Sequence, residues 1–497
     1  MDPAAPRPAP FNLAAHVLAG GARVPDKVAL QILRPTGAER WSFARLTAAV
    51  QGVAAGLQAQ GLEPGDRLLL RLGNTVDFPL AFLGAIAAGL VAVPTSAALT
   101  AAEIGPMAAA VAPRLILAAP GVALPDPAPC PVVTAETLRG WEDLPPAPWH
   151  WGDPDRPGYI VFTSGTSGRA RGVVHAHRAI LARRRMWDGW YGLTPADRLL
   201  HAGAFNWTFT LGTGLMDPWS AGATALIPAE GTDPRALALL ARRFDATIIA
   251  GVPGIFRRLL RDGLPALPRL RHGLSAGEKL PRALREAWVQ ATGTDLHEAM
   301  GMSEISTFVS GCPDRPAPAG ALGWPQPGRR VAVLGPDGAP VAPGEPGILA
   351  VHRNDPGLFL GYLDAPGDTA ARFAGDWFLT GDLVAARPDG ALDSLGRADD
   401  QINAGGYRIS PAEVEAAFDG LPGLTECAAL ELTLPGGATV VALAYTGTPD
   451  PQALAARAAD RLARWKQPRV TRAFATLPRS ANGKLNRRAI RQDWGTA

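Results

Sequence analysis

Three consecutive stretches decide the fold: SFARLTAAVQGVAAGLQAQG at residues 42–61, DRLLLRL at 66–72 and DFPLAFLGAIAAG at 77–89. The first repeats apolar residues at the spacing of one helical face, after Ser42 as a suitable N-cap. That face comprises Leu46, Val50, Val53 and Leu57. The second stretch is short and apolar, as in a buried strand, and the third is again helical and ends at Gly89. Alternating helices and strands predict parallel sheets covered by helices.

The same alternation continues through ALALLARRFDATIIAGVPGIFRRLLRDG at 236–263, so we expect an α/β fold whose large N-terminal domain spans residues 1–396. Within it, the character of the chain changes at residues 320–361, where short apolar runs lie between Pro-Gly and Asp-Gly turns, typical of a small antiparallel barrel or a distorted sheet. The last part of the chain predicts a small α+β domain at 401–497. The connection at 397–400 is short, and we expect it to act as a hinge.

Length and composition set the class of protein. At 497 residues the chain exceeds the size at which one hydrophobic core usually stops growing, which favours at least two domains. Apolar residues make up 47% and charged residues 19%, as in ordinary globular proteins. The net charge of +3 arises from 48 basic and 45 acidic residues without a long block of one sign, which argues against a nucleic-acid partner. The basic run Arg183 to Arg185 falls on a predicted helix, where a solvated face is expected.

Cysteines and apolar stretches indicate the compartment. Cys130, Cys312 and Cys427 are far apart and form no CxxC pair, so neither a disulfide framework nor a zinc site is predicted. The first residues lack the pattern of a secretion signal, and no uninterrupted apolar stretch reaches the roughly 18 residues of a membrane span. We therefore expect a cytoplasmic protein without a transmembrane segment.

The stretch TSGTSGRARG at 163–172 follows an apolar, strand-like run and has the composition of a phosphate-binding loop. Its hydroxyls donate to anion oxygens, its glycines let the backbone approach closely, and Arg171 adds positive charge. The loop residues are Thr163, Ser164, Gly165, Thr166, Ser167 and Gly168. The stretch does not match the GxxxxGK[ST] pattern, so taken alone it is equally compatible with a flexible polar turn.

Four further segments, in order, extend this interpretation: AMGMSE at 299–304, WFLTGDL at 377–383, GRADDQINAGGYRISPAEVE at 396–415 and PRSANGKLNR at 478–487. Together with the loop they resemble the adenylate-forming superfamily of acyl-CoA synthetases, adenylation domains and luciferases, and are closest in pattern to its acetyl and medium-chain acyl-CoA synthetase branch. The resemblance covers essentially the whole chain. It implies activation of a carboxylic acid by ATP and Mg²⁺ to an acyl-AMP, followed by transfer of the acyl group to CoA.

The resemblance assigns the adenylation chemistry to particular side chains. Lys484 is the cation between the carboxylate and the α-phosphate, Ser303 donates to that phosphate, and Glu304 anchors Mg²⁺. Asp382 accepts the ribose hydroxyls, with Arg397 as a second contact. The structural alternatives are a surface position for Lys484, a helix cap for Glu304 and a turn for Asp382. The chain has only four lysines among its 48 basic residues, which favours a specific role for Lys484.

Three positions of the implied nucleotide site depart from the family's usual residues, and the first is Ala170, where a proline is usual. The loop of Gly277 and Glu278 resembles the segment that passes the adenine, but Met300 stands where a tyrosine is usual, which removes an aromatic stack. Arg171 replaces the usual lysine, which keeps the charge and changes its geometry.

The family's small domain acts twice, first bringing in the lysine and then, after a rotation, forming the thioester site. The resemblance places Asp399 at the hinge, and Gly405 and Gly406 along the pantetheine passage. Tyr407 flanks that passage, and Arg408 meets a CoA phosphate.

Trp207 and Thr208 fall where the resemblance places the acyl pocket, although Trp207 is equally compatible with a core position. Gly301 stands where acetate-specific members carry a tryptophan. We therefore expect a medium-chain, branched or aromatic acid rather than acetate. Two alternatives stay open: an acyl-AMP ligase that loads a separate carrier protein, and a homologue that binds nucleotide or acyl groups without catalysis. A homodimer is one assembly we allow for.

Overall fold

The computed structural model of the chain describes residues 10–164, 170–398, 400, 402–404, 407–434, 439–479 and 485–494. The helix predicted from residues 42–61 is formed by Phe43–Ala59, and the Ser42 hydroxyl accepts a hydrogen bond from the Arg45 amide at 3.2 Å. The four apolar residues of its predicted face are fully buried. The predicted strand and second helix follow at Arg67–Arg71 and Asp77–Ala87, which confirms the first part of the prediction.

Within the described residues, fourteen strands form the larger sheet, and six neighbouring strands in it run parallel. In spatial order these six are Val28–Arg34, Thr224–Pro228, Arg198–His201, Ile248–Gly251, His272–Ala276 and Leu296–Met302. The sheet continues through antiparallel strands at Ser306–Ser310, Ala321–Pro325, Leu392–Arg397, Trp377–Ala386, Pro346–His352 and Val331–Leu334. Gly37–Ser42 and Phe373–Ala374 pair at its margins. The region predicted as a small antiparallel barrel or distorted sheet supplies three of these strands, Ala321–Pro325, Val331–Leu334 and Pro346–His352, and the register shifts within it at residues 321–323 and 348–350.

A second, smaller sheet contains seven strands among the described residues. In spatial order they are Gly361–Tyr362, Ala170–Ala176, Pro157–Ser164, Val91–Pro94, Arg67–Arg71, Leu115–Ala118 and Val132–Thr134. The second strand in this order is antiparallel to both of its neighbours, and the last five strands are parallel. Burial of strands such as Leu115–Ala118 along their whole length is typical of parallel sheets covered by helices.

Helices cover these sheets, and all but Pro366–Ala370 of those given next bury apolar residues. They lie at Leu13–Ala19, Phe43–Ala59, Asp77–Ala87, Ala101–Val111, Ala135–Gly140, Ala179–Arg183, Asp217–Ser220, Leu237–Arg243, Pro253–Asp262, Arg282–Thr292 and Pro366–Ala370. Trp187–Tyr191 and Thr210–Met216 are π-helical, and Pro234–Ala236 is a 3₁₀ turn. No helix within the described ranges is long and apolar enough to cross a membrane.

The last part of the chain has hydrophobic clusters of its own. It comprises strands Ile402–Ala404, Tyr407–Ile409, Leu424–Thr433, Thr439–Gly447 and Val470–Ala473, and helices Pro411–Ala417, Pro451–Arg461 and Arg487–Trp494. The Asp450 carboxylate caps the second of these helices by accepting from the Gln452 amide at 3.0 Å. Two clusters of buried residues belong entirely to this part, as expected for an α+β unit. The boundaries at 397–400 stay a prediction.

Candidate active site

A cavity of about 110 Å³ lies at the carboxyl ends of the parallel strands of the larger sheet. This is the edge where open α/β sheets bind their ligands. Its walls include Trp207, Thr208, Gly277, Gly301 and Ser303, which the sequence assigns to different parts of one reaction. The other lining residues are Val161, Phe162, Asn206, Phe209, Thr213, Val252, Ala276, Met302, Ser306 and Thr307. The fold thus brings three predicted segments, separated by long stretches of sequence, to one cavity.

Gly301 is required by a close backbone approach as well as by the space it leaves. A Cβ atom at this position would lie 2.5 Å from the Ser306 carbonyl oxygen and 2.8 Å from the Thr307 Cα. The cause is the hairpin between strands Leu296–Met302 and Ser306–Ser310, whose register shifts beside Gly301. A tryptophan here would displace the hairpin, so a Gly301→Trp variant would not report on pocket size alone.

Glu304 lies in the tight connection of that hairpin and is held in place by Tyr362. The Tyr362 hydroxyl donates to Glu304 Oε1 at 2.7 Å, and the Glu304 side chain is largely buried. Burial and the charge of Glu304 raise the pKa of Tyr362 above its ordinary value, so the phenol stays protonated and acts as the donor. Tyr362 was missed in the sequence because it lies 58 residues from Glu304 and outside the recognised motifs.

Ser303 is positioned through its backbone by His175. The His175 Nε2 lies 2.7 Å from the Ser303 carbonyl oxygen, to which it must donate. Burial lowers the pKa of His175 to about 4, so the ring is neutral at pH 7. Tyr159 stacks on the ring at 4.7 Å between centroids and fixes its plane.

Asp382 and Arg397 stand opposite each other on neighbouring antiparallel strands. Arg397 Nη1 lies 3.6 Å from Asp382 Oδ2 and donates to the Thr380 carbonyl at 2.8 Å. Gly381, between Thr380 and Asp382, has φ +79°, and a Cβ there would lie 2.7 Å from Arg397. The two predicted residues therefore form one local unit whose geometry depends on a glycine.

Arg171 is already engaged by neighbouring residues. It lies opposite Thr163 in the hairpin of the second sheet, and its Nη2 is 3.0 Å from Asp368 Oδ2. Its guanidinium also lies 5.4 Å from the centre of the Tyr362 ring, which links it to the residue that holds Glu304.

The loop of Gly277 and Glu278 is tied to the strand that carries Met300. Gly277 has φ +95°, and a few residues later the Leu280 amide donates to Glu298 Oε1 at 3.0 Å. Burial raises the pKa of Glu298 to about 7. Met300 lies two residues beyond Glu298, half-buried against the main hydrophobic core.

Several predicted residues lie outside the described residues. They are Gly165, Thr166, Ser167, Gly168, Asp399, Gly405, Gly406 and Lys484. Ser164 lies at the end of strand Pro157–Ser164, and Tyr407 and Arg408 lie on strand Tyr407–Ile409. The roles of all these residues stay predictions.

The expectation that the run Arg183 to Arg185 forms a solvated face is wrong for Arg183. Its side chain is only 5% exposed and makes a bidentate pair with Asp217, with Nε–Oδ1 at 2.9 Å and Nη2–Oδ2 at 2.6 Å. The space for the guanidinium comes from Gly212, where a Cβ would lie 2.1 Å from Arg183 Cζ. A distant counter-charge and a glycine, neither visible in the local pattern, explain the burial. Arg184 is exposed, as expected, and pairs with Asp188 at 3.1 Å.

A family model described as AMP-binding enzyme matches residues 18–363, more than half of the chain. The chain belongs to the AMP-binding enzyme family.

Similar proteins of this kind cover nearly the full length of the chain. A 3-hydroxybenzoate–CoA ligase of Aromatoleum sp. (strain CIB) is 29% identical, covering 92% of this chain and 92% of the relative. The mitochondrial acyl-coenzyme A synthetase ACSM5 of Mus musculus is 30% identical, covering 99% and 92%. Among solved structures, a benzoate CoA ligase from Burkholderia xenovorans LB400 superposes with a TM-score of 0.87 at 26% identity, covering 97% of this chain and 100% of that chain. The predicted α/β fold and the resemblance to acyl-CoA synthetases are confirmed.

Proposed function

We propose that this member of the AMP-binding enzyme family is an AMP-forming acyl-CoA synthetase. It would activate a carboxylic acid with ATP to an acyl-AMP and pass the acyl group to CoA. The observation that carries the proposal is that Trp207, Gly277 and Ser303 line the same cavity. The resemblance assigns these residues to the acyl, adenine and phosphate ends of one substrate complex. ATP-dependent release of AMP, measured over a panel of carboxylic acids with and without CoA, tests it.

The first step joins two anions. A carboxylate oxygen bonds to the α-phosphorus of ATP while the bond from that phosphorus to the pyrophosphate oxygen breaks. Positioning and stabilisation of negative charge therefore supply most of the catalysis. Ser303 is proposed to donate to the α-phosphate and Lys484 to neutralise the charge that accumulates on it. In the second step the CoA thiol attacks the acyl carbonyl, and AMP leaves.

Glu304 fits a Mg²⁺ site that depends on the nucleotide. Among the described residues no group of three acidic, histidine or cysteine side chains forms a metal cage. Mg²⁺ is commonly held by one or two carboxylates together with substrate phosphates and water. Glu304, fixed by Tyr362, supplies one such carboxylate. When bound, the ion would neutralise charge on the phosphates.

Asp382 and Arg397 are proposed to hold the ribose. A carboxylate accepts two hydroxyl donors at once, and the hydrogen bond from Arg397 to the Thr380 carbonyl keeps the arginine beside Asp382.

The acid is proposed to be aromatic, branched or medium-chain. The names of the hydroxybenzoate and benzoate ligases, together with the aromatic Trp207 and Phe209 in the cavity wall, support an aromatic acid. Glu304, Asp382, Arg397 and Lys484 are all present in the sequence, which argues against a homologue without catalysis. A cytoplasmic location, expected from the widely spaced cysteines, and a homodimer stay predictions.

Arg171→Lys is expected to change the KM for ATP by no more than about twofold, because the charge is kept and exposed ion pairs such as that with Asp368 are weak. Arg171→Ala is expected to raise that KM about tenfold through loss of a charge-assisted phosphate contact. Pyrophosphate exchange at varied ATP concentration measures both. Equal effects of the two variants would show instead that the planar guanidinium over Tyr362 is needed.

We further propose that residues 401–497 act as a mobile domain and that Arg479 stabilises their adenylation arrangement. Arg479 Nη1 lies 3.0 Å from Glu278 Oε1 of the adenine loop, and Nη2 bonds to Glu426 within the C-terminal part. Arg479 precedes Lys484 by five positions in the sequence. The ion pair between Arg479 and Glu278 therefore connects two parts of the chain. One is the segment just before the proposed catalytic lysine, and the other is the loop at the nucleotide end of the cavity.

Arg479→Ala is expected to lower acid-dependent pyrophosphate exchange by about two- to fivefold, the range of an exposed ion pair. Thioester formation from supplied acyl-AMP should be unchanged, because it uses the other arrangement. Arg472→Ala is the matched control, since Arg472 bonds to the Asp493 and Trp494 carbonyls within the C-terminal part. Equal losses in both half-reactions would contradict the role of Arg479.

A further inference from the structure

One part of the cavity wall carries a polar corner, formed by the hydroxyls of Ser306 and Thr213 with the Arg183 guanidinium behind them. Arg183 Nη1 bonds to Ser306 Oγ, and Nη2 lies 3.4 Å from Thr213 Oγ1. Both hydroxyl residues line the cavity, whereas Arg183 is buried. The polar corner is distinct from Ser303, which serves the proposed phosphate end.

The hydrogen bonds of this corner have a defined direction. Tyr191 is fully buried and its hydroxyl lies 2.7 Å from Asp217 Oδ2, to which it must donate because a carboxylate only accepts. Burial, with the charge of Asp217, raises the pKa of Tyr191 well above its ordinary value, so the proton stays on the phenol. The Tyr191 oxygen is therefore an acceptor for Thr213 Oγ1 at 2.8 Å.

It follows that the two hydroxyls offer opposite functions to a ligand. The Thr213 hydroxyl donates its hydrogen to Tyr191, and a lone pair on its oxygen is left to accept from a ligand. Ser306 receives a hydrogen bond from Arg183 and keeps its own O–H as a donor. A ligand group that both accepts and donates, as a hydroxyl does, satisfies the pair.

The backbone of Ser306 supports a functional role. Its φ is +68°, a left-handed conformation that is uncommon for residues other than glycine. Residues in such conformations are concentrated at functional sites. Ser306 also closes the hairpin connection that contains Ser303 and Glu304, so one turn carries a residue of the polar corner and two residues of the proposed reaction centre.

We propose that the acid activated by this protein carries a hydroxyl group, separate from its carboxylate, that accepts from Ser306 and donates to Thr213. This inference rests on the proposed acyl-CoA synthetase function and specifies its substrate class. A second carboxylate on the acid is disfavoured, because Asp217 already neutralises Arg183 through two hydrogen bonds. An unsubstituted acid leaves the Ser306 O–H donor and one Thr213 lone pair without a ligand partner, which a polar pocket penalises.

The test compares kcat/KM for AMP release in the presence of CoA across matched acids. The panel contains benzoate with its hydroxy and methoxy derivatives at each ring position, and hexanoate with its terminal hydroxy derivative. For the wild-type protein, kcat/KM should be at least about tenfold higher with the best hydroxylated acid than with its unsubstituted parent. It should also be higher than with the methoxy analogue, because a methoxy oxygen accepts a hydrogen bond from Ser306 but cannot donate one to Thr213.

Thr213→Val and Ser306→Ala should each bring the hydroxyl-to-parent ratio of kcat/KM close to one, and because a ratio is measured, an equal loss with both acids does not change it. Thr224→Val is the control for loss of a buried hydroxyl, since Thr224 bonds to the Val28 carbonyl at 2.7 Å away from the cavity, and it should keep the wild-type ratio. A wild-type ratio near one for every pair, or a ratio that neither cavity variant changes, would overturn the inference and leave the proposed function standing. Absence of AMP release with every acid would overturn both.

Discussion

Lys484→Ala is expected to lower the rate of acyl-AMP formation by several orders of magnitude. The reaction brings a carboxylate to a phosphate, and the proposed lysine supplies the cation that offsets their repulsion as charge accumulates. Alanine leaves that charge without a partner. Acid-dependent exchange of labelled pyrophosphate into ATP measures this half-reaction alone.

The second half-reaction provides the internal comparison for Lys484. Supplied acyl-AMP should be converted to acyl-CoA by Lys484→Ala at close to the wild-type rate, because the α-phosphate bond is then already made. Lys466→Ala is the matched variant, since Lys466 also lies in the C-terminal part and bonds to Glu413 there. It should leave both half-reactions near wild type. Equal losses of both in Lys484→Ala would contradict the assignment.

Glu304→Gln is expected to lower kcat/KM for ATP in adenylation by about two to three orders of magnitude, because a neutral amide is a poor ligand for a hard cation that stabilises phosphate charge. The amide keeps the shape of the side chain and a carbonyl acceptor for the Tyr362 hydroxyl. The loss should therefore be one of charge, and thioester formation from supplied acyl-AMP should be less affected.

Tyr362→Phe separates the charge of Glu304 from its position. This variant keeps the carboxylate and removes the 2.7 Å hydrogen bond, so kcat/KM for ATP in adenylation should fall about tenfold.

The Mg²⁺ dependence of pyrophosphate exchange tests Glu304 as the metal anchor. Glu304→Gln should need a higher Mg²⁺ concentration than the wild-type protein for half-maximal exchange. The same Mg²⁺ dependence in wild type and Glu304→Gln would exclude Glu304 as the anchor.

The parts of the fold that the sequence predicted are those with a local cause. The helix Phe43–Ala59 follows from its periodic apolar face and its serine cap. Trp207 and Gly301 were placed by motif resemblance, and the parallel sheet brings them to one cavity. The second reason for Gly301, the backbone contact with Ser306, depends on a hairpin register that no local pattern specifies.

The residues that the sequence did not reveal act over long distances. Tyr362 holds Glu304, and His175 holds the Ser303 carbonyl from 128 residues away. Arg183 appeared as part of a basic surface run because its partner Asp217 lies 34 residues further on. In each case a buried polar group is satisfied by a residue that only the tertiary fold brings near.

The most direct test of the central claim is the assay of AMP release from ATP with a panel of carboxylic acids, in the presence and absence of CoA. An acyl-CoA synthetase should release AMP only when an acid is present, and CoA should convert that release into steady turnover with one acyl-CoA formed per AMP. Acid-dependent pyrophosphate exchange without acyl-CoA formation would contradict CoA as the acceptor and favour a carrier-protein thiol. Absence of any acid-dependent AMP release or pyrophosphate exchange would contradict the proposed function itself.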